Sequence, residues 1–364
     1  MLSAPAATAR RPGRLLGPVV LSMALFSVDA QATKPRLRLE RVDASRCGAE
    51  GLIDAYLVEI ELEGQLRRFP ASRYRLVVDG KLVGQPPQGS TTFARSGQAL
   101  ELAVVVAVTP SYEPHLPRIR EGLRELMGSL GGAAHVTLIV YDWQARRLLA
   151  RGTARRARQM VESIGVGSSE VDPALDEALV LALRGLGKRP AGARRAAGRR
   201  LMVLISDGIN RNPKWDVFRG LGSRARTLGV TIHPVAFSPI DERGPLLNLG
   251  ELAKRTGGTL RWARRPVDLP QQLYNLGKEI GGQLVQTYRV PGSCARRHRI
   301  QVTRGGLTSN VVESPAVKAG ARPRERGVLG IVIFVVGLVV ALGLLTLLVV
   351  VLVRPRRDRD AGPQ

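Results

Sequence analysis

Leu201 to Ile205 is an unbroken apolar run, closed by Ser206-Asp207-Gly208. A run of this length without polar alternation marks a strand covered on both faces, and such strands belong to parallel sheets walled by crossover helices. The Ser-Asp-Gly break falls at the carboxyl end of the strand, where open α/β sheets place their ligands. The chain must therefore supply parallel neighbours and crossover helices on either side of this run.

The flanks supply them. Leu102 to Val108 is a second continuous apolar strand, and Leu116, Ile119, Leu123, Leu126 and Leu130 then fall on one helical face. Val136 to Tyr141 predicts the next strand, Arg147 to Ala150 a short edge strand, Thr153 to Ile164 a helix, and Asp172 to Leu186 a helix with Pro173 just inside its start. Beyond the central run come a helix near Trp215 to Leu228, a strand at Val230 to Phe237 and a helix over Leu246 to Thr256, stopped by Gly257-Gly258. Thr259 to Trp262 is a last short strand, and Leu269, Leu273, Leu276, Ile280 and Leu284 stripe a final helix. The fold class is α/β, with a doubly wound, mostly parallel sheet.

Period-two patterning occupies the flanks of this domain. Leu37, Leu39 and Val42 suggest one strand, Tyr56 to Leu62 another, and Arg73 to Val78 a third that ends at Asp79-Gly80. After the central domain, Leu284 to Val290 and His298 to Thr303 flank Pro291-Gly292-Ser293 and look like a hairpin. Neither piece suffices for a sandwich alone, so the two are expected to complete one another, with the ends of the central domain close together.

The termini set the compartment. Arg10, Arg11 and Arg14 precede an apolar run from Leu15 to Val28 with small residues around Ala30 and Ala32, the layout of a secretory signal. The 26 residues Val328 to Val353 carry no charge, enough to cross a bilayer, and Arg354, Arg356, Arg357 and Arg359 follow at once. The expected division is a signal peptide over 1–32, a β module over 33–98, the α/β domain over 99–288, a β hairpin over 289–313, a stalk over 314–327, a transmembrane helix over 328–353 and a basic cytoplasmic tail over 354–364. The exported portion then lies in the periplasm or outside the cell.

The net charge of +25 comes from 55 Lys and Arg against 30 Asp and Glu, nearly all of the excess being Arg spread along the chain. Aromatics are only 4% and do not interleave with Arg, so no stacking platform for nucleic acid is present and none is expected as a partner. Phosphate loops, G-x-S-x-G elbows and H-E-x-x-H helices are absent, and no two of His115, His135, His233 and His298 have metal-ligand spacing. An enzyme reading has no site to rest on, and an exported hydrolase is the weakest alternative.

Residues 101–290 resemble a von Willebrand factor type A domain, through LISDG, VTIHPVAF, LGELAKRTGGTLRWA and a last amphipathic helix leading into QTYRV. The preceding RYRLVVDGK and the following β piece with its apolar span are similar to bacterial membrane-anchored members. The resemblance implies a binding or scaffolding domain, often with a divalent cation held by a D-x-S-x-S loop, a Thr in a later loop and an Asp after the fourth strand. This chain departs from that pattern. Thr109 stands where the family has Asp, Ser111 is kept, Glu113 replaces the second Ser, Ser169 (or Ser168) stands for the Thr, and Asp207 matches the last Asp. Ser111, Glu113, Ser169 and Asp207 thus form a degenerate set for a weakly bound Mg²⁺, or for no cofactor, since Mg²⁺ prefers one or two carboxylates within six oxygens.

Cys47 and Cys294 lie in the two β pieces, and an exported pair invites a disulfide, the alternative being two separately buried thiols. Lys188, Arg189, Arg194, Arg195, Arg199 and Arg200 read as a solvated basic loop, with lipid headgroups or an acidic partner as the alternative. The expected function is a membrane-anchored, exported protein-binding or assembly module using the loops at Thr109–Pro114, Gly167–Pro173 and Asp207–Pro213. The alternative is a metal-independent structural spacer of the cell envelope.

Overall fold

The computed structural model describes residues 36–316 apart from 61–68, 131–132, 170, 172, 188–197, 212–214 and 292–293. The expected signal peptide, transmembrane helix and tail lie outside the described residues, as do Lys188, Arg189, Arg194 and Arg195. Among the described residues no helix is long and apolar enough to cross a membrane.

The amino-terminal piece supplies β1 (Arg36–Asp43), the single-turn α1 (Cys47–Glu50), β2 (Leu52–Ile60), β3 (Tyr74–Val78), β4 (Lys81–Val83) and β5 (Gly89–Thr92). The central domain runs β6 (Leu100–Ala107), α2 (Leu116–Ser129), β7 (Ala134–Tyr141), β8 (Ala145–Thr153), α3 (Ala154–Met160), α4 (Leu175–Gly187), β9 (Arg199–Ser206), α5 (Trp215–Thr227), β10 (Val230–Ala236), α6 (Leu246–Thr256), β11 (Arg261–Trp262) and α7 (Asp268–Gly282). The chain then returns through β12 (Leu284–Arg289), β13 (Arg299–Arg304), β14 (Leu307–Thr308) and β15 (Val312–Glu313).

Six strands form the central sheet in the order β11-β10-β9-β6-β7-β8, all parallel except the β7–β8 pair. Every residue of β9 except Arg200 is buried, as the apolar run requires of a strand covered on both faces. The helices divide between the two faces: α2 packs with α3 and α7, while α4 packs with α5 and α5 with α6. The order of connection reverses between β6 and β9, so the crevice at their carboxyl ends is the topological switch point.

The two flanking pieces interleave in two packed sheets. One sheet has the order β1-β2-β12-β5, the other β14-β13-β3-β4 with β15 also on β13, and between them Leu39, Leu57, Tyr74, Leu76, Ile300 and Val302 are fully buried. Each sheet thus takes strands from both ends of the chain. Cys47 and Cys294 are joined by a disulfide across this sandwich, their Cα atoms 5.7 Å apart.

Several local expectations are corrected. The segments around Pro291-Gly292-Ser293 do not form a hairpin: β12 pairs with β2 and β5, whereas β13 pairs with β3, β14 and β15 in the other sheet. β13 alternates as a half-buried strand does and β12 is buried along most of its length, and neither pattern says which sheet a strand joins. Leu284 closes no helical stripe but begins β12, because α7 ends at Gly282. The last strand of the central sheet is only Arg261–Trp262. Arg199 is no solvated loop residue: it opens β9 with 1% exposure.

Candidate functional site at the carboxyl ends of the central strands

At the end of β6, Val108 and Thr109 are buried and the chain turns through a 3₁₀ segment, Pro110–His115. The Thr109 and Ser111 hydroxyls lie 3.0 Å apart, Tyr112 is buried with its hydroxyl donating to the Phe237 carbonyl beyond β10 (2.8 Å), and Glu113 is exposed. Tyr112 therefore pins this turn to the neighbouring strand's exit, leaving Glu113 directed to solvent.

Beyond β7, Asp142 is 1% exposed, and its carboxylate accepts from the Ser168 backbone N–H (3.1 Å) and the Gln144 N–H (3.2 Å), with Arg146 at 3.4 Å. The Gly167 N–H donates to the Val108 carbonyl (2.5 Å), and a Cβ at Gly167 would fall 2.6 Å from the Asp142 Cβ and 2.7 Å from the Val108 carbonyl oxygen. Only glycine lets this loop lie on the strand ends. Ser168 receives the Trp143 indole N–H (3.1 Å), and the Ser169 hydroxyl accepts from the Val171 N–H (3.1 Å) in a local turn.

At the end of β9, the Ser206 hydroxyl lies 2.7 Å from that of Tyr141 and accepts from the Gly208 N–H at 2.9 Å. Burial first, and Asp207 beside it second, push the Tyr141 phenol well above its ordinary range, so it stays a neutral hydrogen-bonding group. Asp207, 7% exposed, accepts from the Ile209 N–H (3.0 Å), and the Asn210 side chain accepts from the Asp176 N–H at the start of α4 (3.1 Å). Gly208 has φ +82° and approaches Pro245, whose carbonyl oxygen would lie 2.3 Å from any Cβ there.

The three expected loops do converge on the switch point, with Thr109 and Ser111 in contact, Ser169 in the second loop and Asp207 at the third. Their oxygens already take part in hydrogen bonds within the protein. Ser169 is engaged with Val171, Asp207 with Ile209, and Thr109 with Ser111, and none of the buried side-chain atoms without a partner among the described residues belongs to these loops. Asp207 and Asp142 are the buried carboxylates at these strand ends, each accepting from a backbone N–H, and Glu113 is exposed. Sequence reasoning missed Asp142, which organises the second loop; its signal was a lone acid directly after the apolar Val136–Tyr141 run.

A second polar cluster lies at the opposite, amino-terminal edge of the sheet. β1 has a register shift between Leu39 and Arg41, and the bulged Glu40 turns inward, where it pairs with Arg38 (2.6 Å) and Arg199 and accepts from the Gln283 amide (2.7 Å). Glu279 pairs with Arg38 and Arg261, each at 2.6 Å, and Arg199 stacks on Tyr56. Burial would raise the Glu40 pKa, but Arg38, His233, Arg199 and Gln283 together hold its carboxyl well below the usual range. Burial drives His233 down to about 4, and the Thr259 N–H donating to its Nδ1 (3.3 Å) leaves the ring proton on Nε2.

Ligand atoms of Glu40, His233 and Glu279 lie within 4.8 Å of one another, yet three guanidiniums already neutralise the two carboxylates, and His233 Nε2 has no lone pair to offer. The cluster is a structural ion network joining the sandwich to the central domain. The Arg41 guanidinium donating to the Gly229 carbonyl (2.9 Å) and the Tyr56 hydroxyl donating to Gln98 (2.6 Å) extend the same junction.

The family model for the von Willebrand factor type A domain matches residues 101–257. The central domain is a von Willebrand factor type A domain. Among solved structures, the chain is similar to a von Willebrand factor type A protein from Catenulispora acidiphila at 10% identity and TM-score 0.44, covering 80% of this chain and 74% of that one. It is also similar to an aerotolerance-related membrane protein from Bacteroides fragilis (15% identity, TM-score 0.39, 50% of this chain and 98% of that one). BatB from Bacteroides thetaiotaomicron is matched at 16% identity and TM-score 0.38, over 50% of this chain and 98% of that one. No curated protein matches the chain. At such identities and TM-scores these likenesses carry nothing about partners or activity.

Proposed function

We propose that this chain is a membrane-anchored, exported, non-catalytic module that binds a protein partner through the carboxyl-end loops of its von Willebrand factor type A domain, without depending on a divalent cation. The observation that carries this reading is the distribution of exposed apolar side chains. Trp143, Val166, Val171, Ile240 and Leu247, from 42% to 74% exposed, all lie on segments leaving the carboxyl edge of the central sheet. A soluble surface gathers such residues at one end chiefly where something covers them. Beneath them the Asp142, Tyr112 and Asn210 hydrogen bonds hold the loops in place, which lowers the ordering cost of binding.

The alternative of a cell-envelope spacer draws on the sandwich, whose disulfide and ion network make a rigid connection. Affinity capture of the detergent-solubilised chain separates the two. Trp143→Ser with Ile240→Ser should abolish capture of the partner while leaving the melting temperature within a few degrees. Undiminished capture by that variant, together with loss on Leu82→Glu in the sandwich, would overturn the binding reading in favour of the spacer.

A further inference from the structure

Apart from the carboxyl-end loops, the central domain carries a second unpartnered surface along its β8 edge. β8 ends the sheet and pairs only with β7, so the outer row of its backbone N–H and C=O groups is open among the described residues. Its first part, Ala145 to Arg147, keeps a regular register against Tyr141, Val140 and Ile139 before the strand shifts near Leu149. Beside it, where α4 and α5 cross the sheet face, a groove of about 470 Å³ is lined by Arg147, Leu181, Arg184, Gly187, Arg224 and Leu228.

The three arginines are exposed and have no ion-pair partner among the described residues, whereas Arg151 on the same strand pairs with Glu101 and Arg146 with Asp142. Three uncompensated guanidiniums around a half-buried leucine floor repel a second copy of this chain, whose net charge is +25. The same features attract an acidic segment with apolar anchors. An open strand edge beside the groove asks for that segment in extended form, since main-chain pairing supplies affinity and alternate side chains reach one face.

We propose that the β8 edge is a docking site for an acidic, extended peptide segment of a partner protein, which adds a seventh strand to the central sheet. Its alternate acidic side chains meet Arg147, Arg184 and Arg224, and an apolar side chain rests over Leu181 and Leu228. The site is separate from the carboxyl-end loops and stands or falls independently of them.

The test uses the full-length chain in nanodiscs and a labelled peptide, Thr-Glu-Thr-Glu-Thr-Leu-Thr-Glu-Thr, whose acidic and apolar side chains share one face of the strand, read by fluorescence anisotropy. Saturable binding is expected, weakened at least tenfold by Arg147→Glu with Arg184→Glu, and equally by backbone N-methylation of every second peptide residue. Arg155→Glu with Arg156→Glu, on α3 at the opposite face of the sheet, should change binding less than threefold and serves as the charge control. Trp143→Ser with Ile240→Ser should leave it unchanged. Binding that survives N-methylation would reduce the surface to a charge patch and overturn strand addition. Absence of peptide binding would overturn the proposal outright, as would binding to anionic phosphatidylglycerol vesicles alone that is lost in the Arg147 and Arg184 variant, which would make the surface a membrane contact. Melting temperatures within a few degrees of the parent confirm that each variant is folded.

Discussion

The two ends of the central sheet handle polar groups in opposite ways. At the amino-terminal edge, charges are buried and shared over long distances in the chain: Glu40 from the first strand, Arg199 from β9, His233 from β10 and Glu279 from α7 meet in one network. At the carboxyl-terminal edge no such charge network forms among the described residues: single hydrogen bonds such as Asp142 with Ser168, Tyr112 with Phe237 and Asp207 with Ile209 hold the loops, and apolar side chains are left outside. The first arrangement fixes one body against another. The second keeps a surface in shape without burying it, which is what a docking face requires.

The largest effect should follow from breaking the amino-terminal network. Arg199→Met leaves Glu40 buried without its closest cation, and removal of one partner from a buried pair costs about 3–5 kcal/mol. Urea unfolding should register that loss. A loss below about 1 kcal/mol would mean that the network is solvated and the contrast between the two ends is weaker than drawn. Replacing Cys47 and Cys294 by Ser should cost about 2–5 kcal/mol, given a sequence separation of 247 residues, and should weaken the sandwich before the central domain. Amide exchange that rose first in β6 and β9 after this change would reverse that order.

These two predictions concern features that differ in how far the sequence announced them. The strand at Leu201–Ile205 and the Gly257-Gly258 stop could be read directly, because burial on both faces demands an apolar run and because Gly257 has φ +77° and lies against the Glu40 carbonyl. The two cysteines could be placed in the flanking β pieces, but pairing rests on Cα geometry that spacing does not give. Glu40 was illegible. In sequence it is one charged residue in a strand, and only the bulge between Leu39 and Arg41 turns it inward. Arg199 was misread for a related reason, since it follows a run of basic residues and nothing local marks it as the one that meets Glu40. At the loop end, Thr109, Ser111 and Asp207 were placed where the strands terminate, whereas Asp142 acts through the Gly167–Ser168 backbone, a contact between segments well apart in sequence.

Acid should separate the two ends by a smaller amount. The unfolded state protonates His233 near its ordinary pKa of 6.5, while the folded protein holds it neutral down to about 4. Protons therefore bind preferentially to the unfolded chain as pH falls from about 6.5 to 4, and up to about 3 kcal/mol of stability should be lost in that window. Glu40, with its depressed pKa, adds loss of the same sign below about 4.5. His233→Gln should flatten the first of these slopes, and an unchanged slope in that variant would place the acid sensitivity elsewhere. At the other end Asp207→Ala removes the turn to Ile209 among its contacts and should cost about 1.5–3 kcal/mol, the range for hydrogen bonds to a charged group. Millimolar Mg²⁺ should move the melting temperature marginally; a saturating shift at micromolar metal, lost in Asp207→Ala, would show that the loops assemble a cation site after all.

The division of labour between the ends can be read most directly by site-specific photo-cross-linking in intact membranes. A benzophenone side chain placed in turn at Trp143, Ile240 and Leu247 should yield the same partner adduct from all three positions, while Leu82 and Val311 in the sandwich yield none. Adducts from Leu82 or Val311, with none from the carboxyl-end positions, would contradict the account.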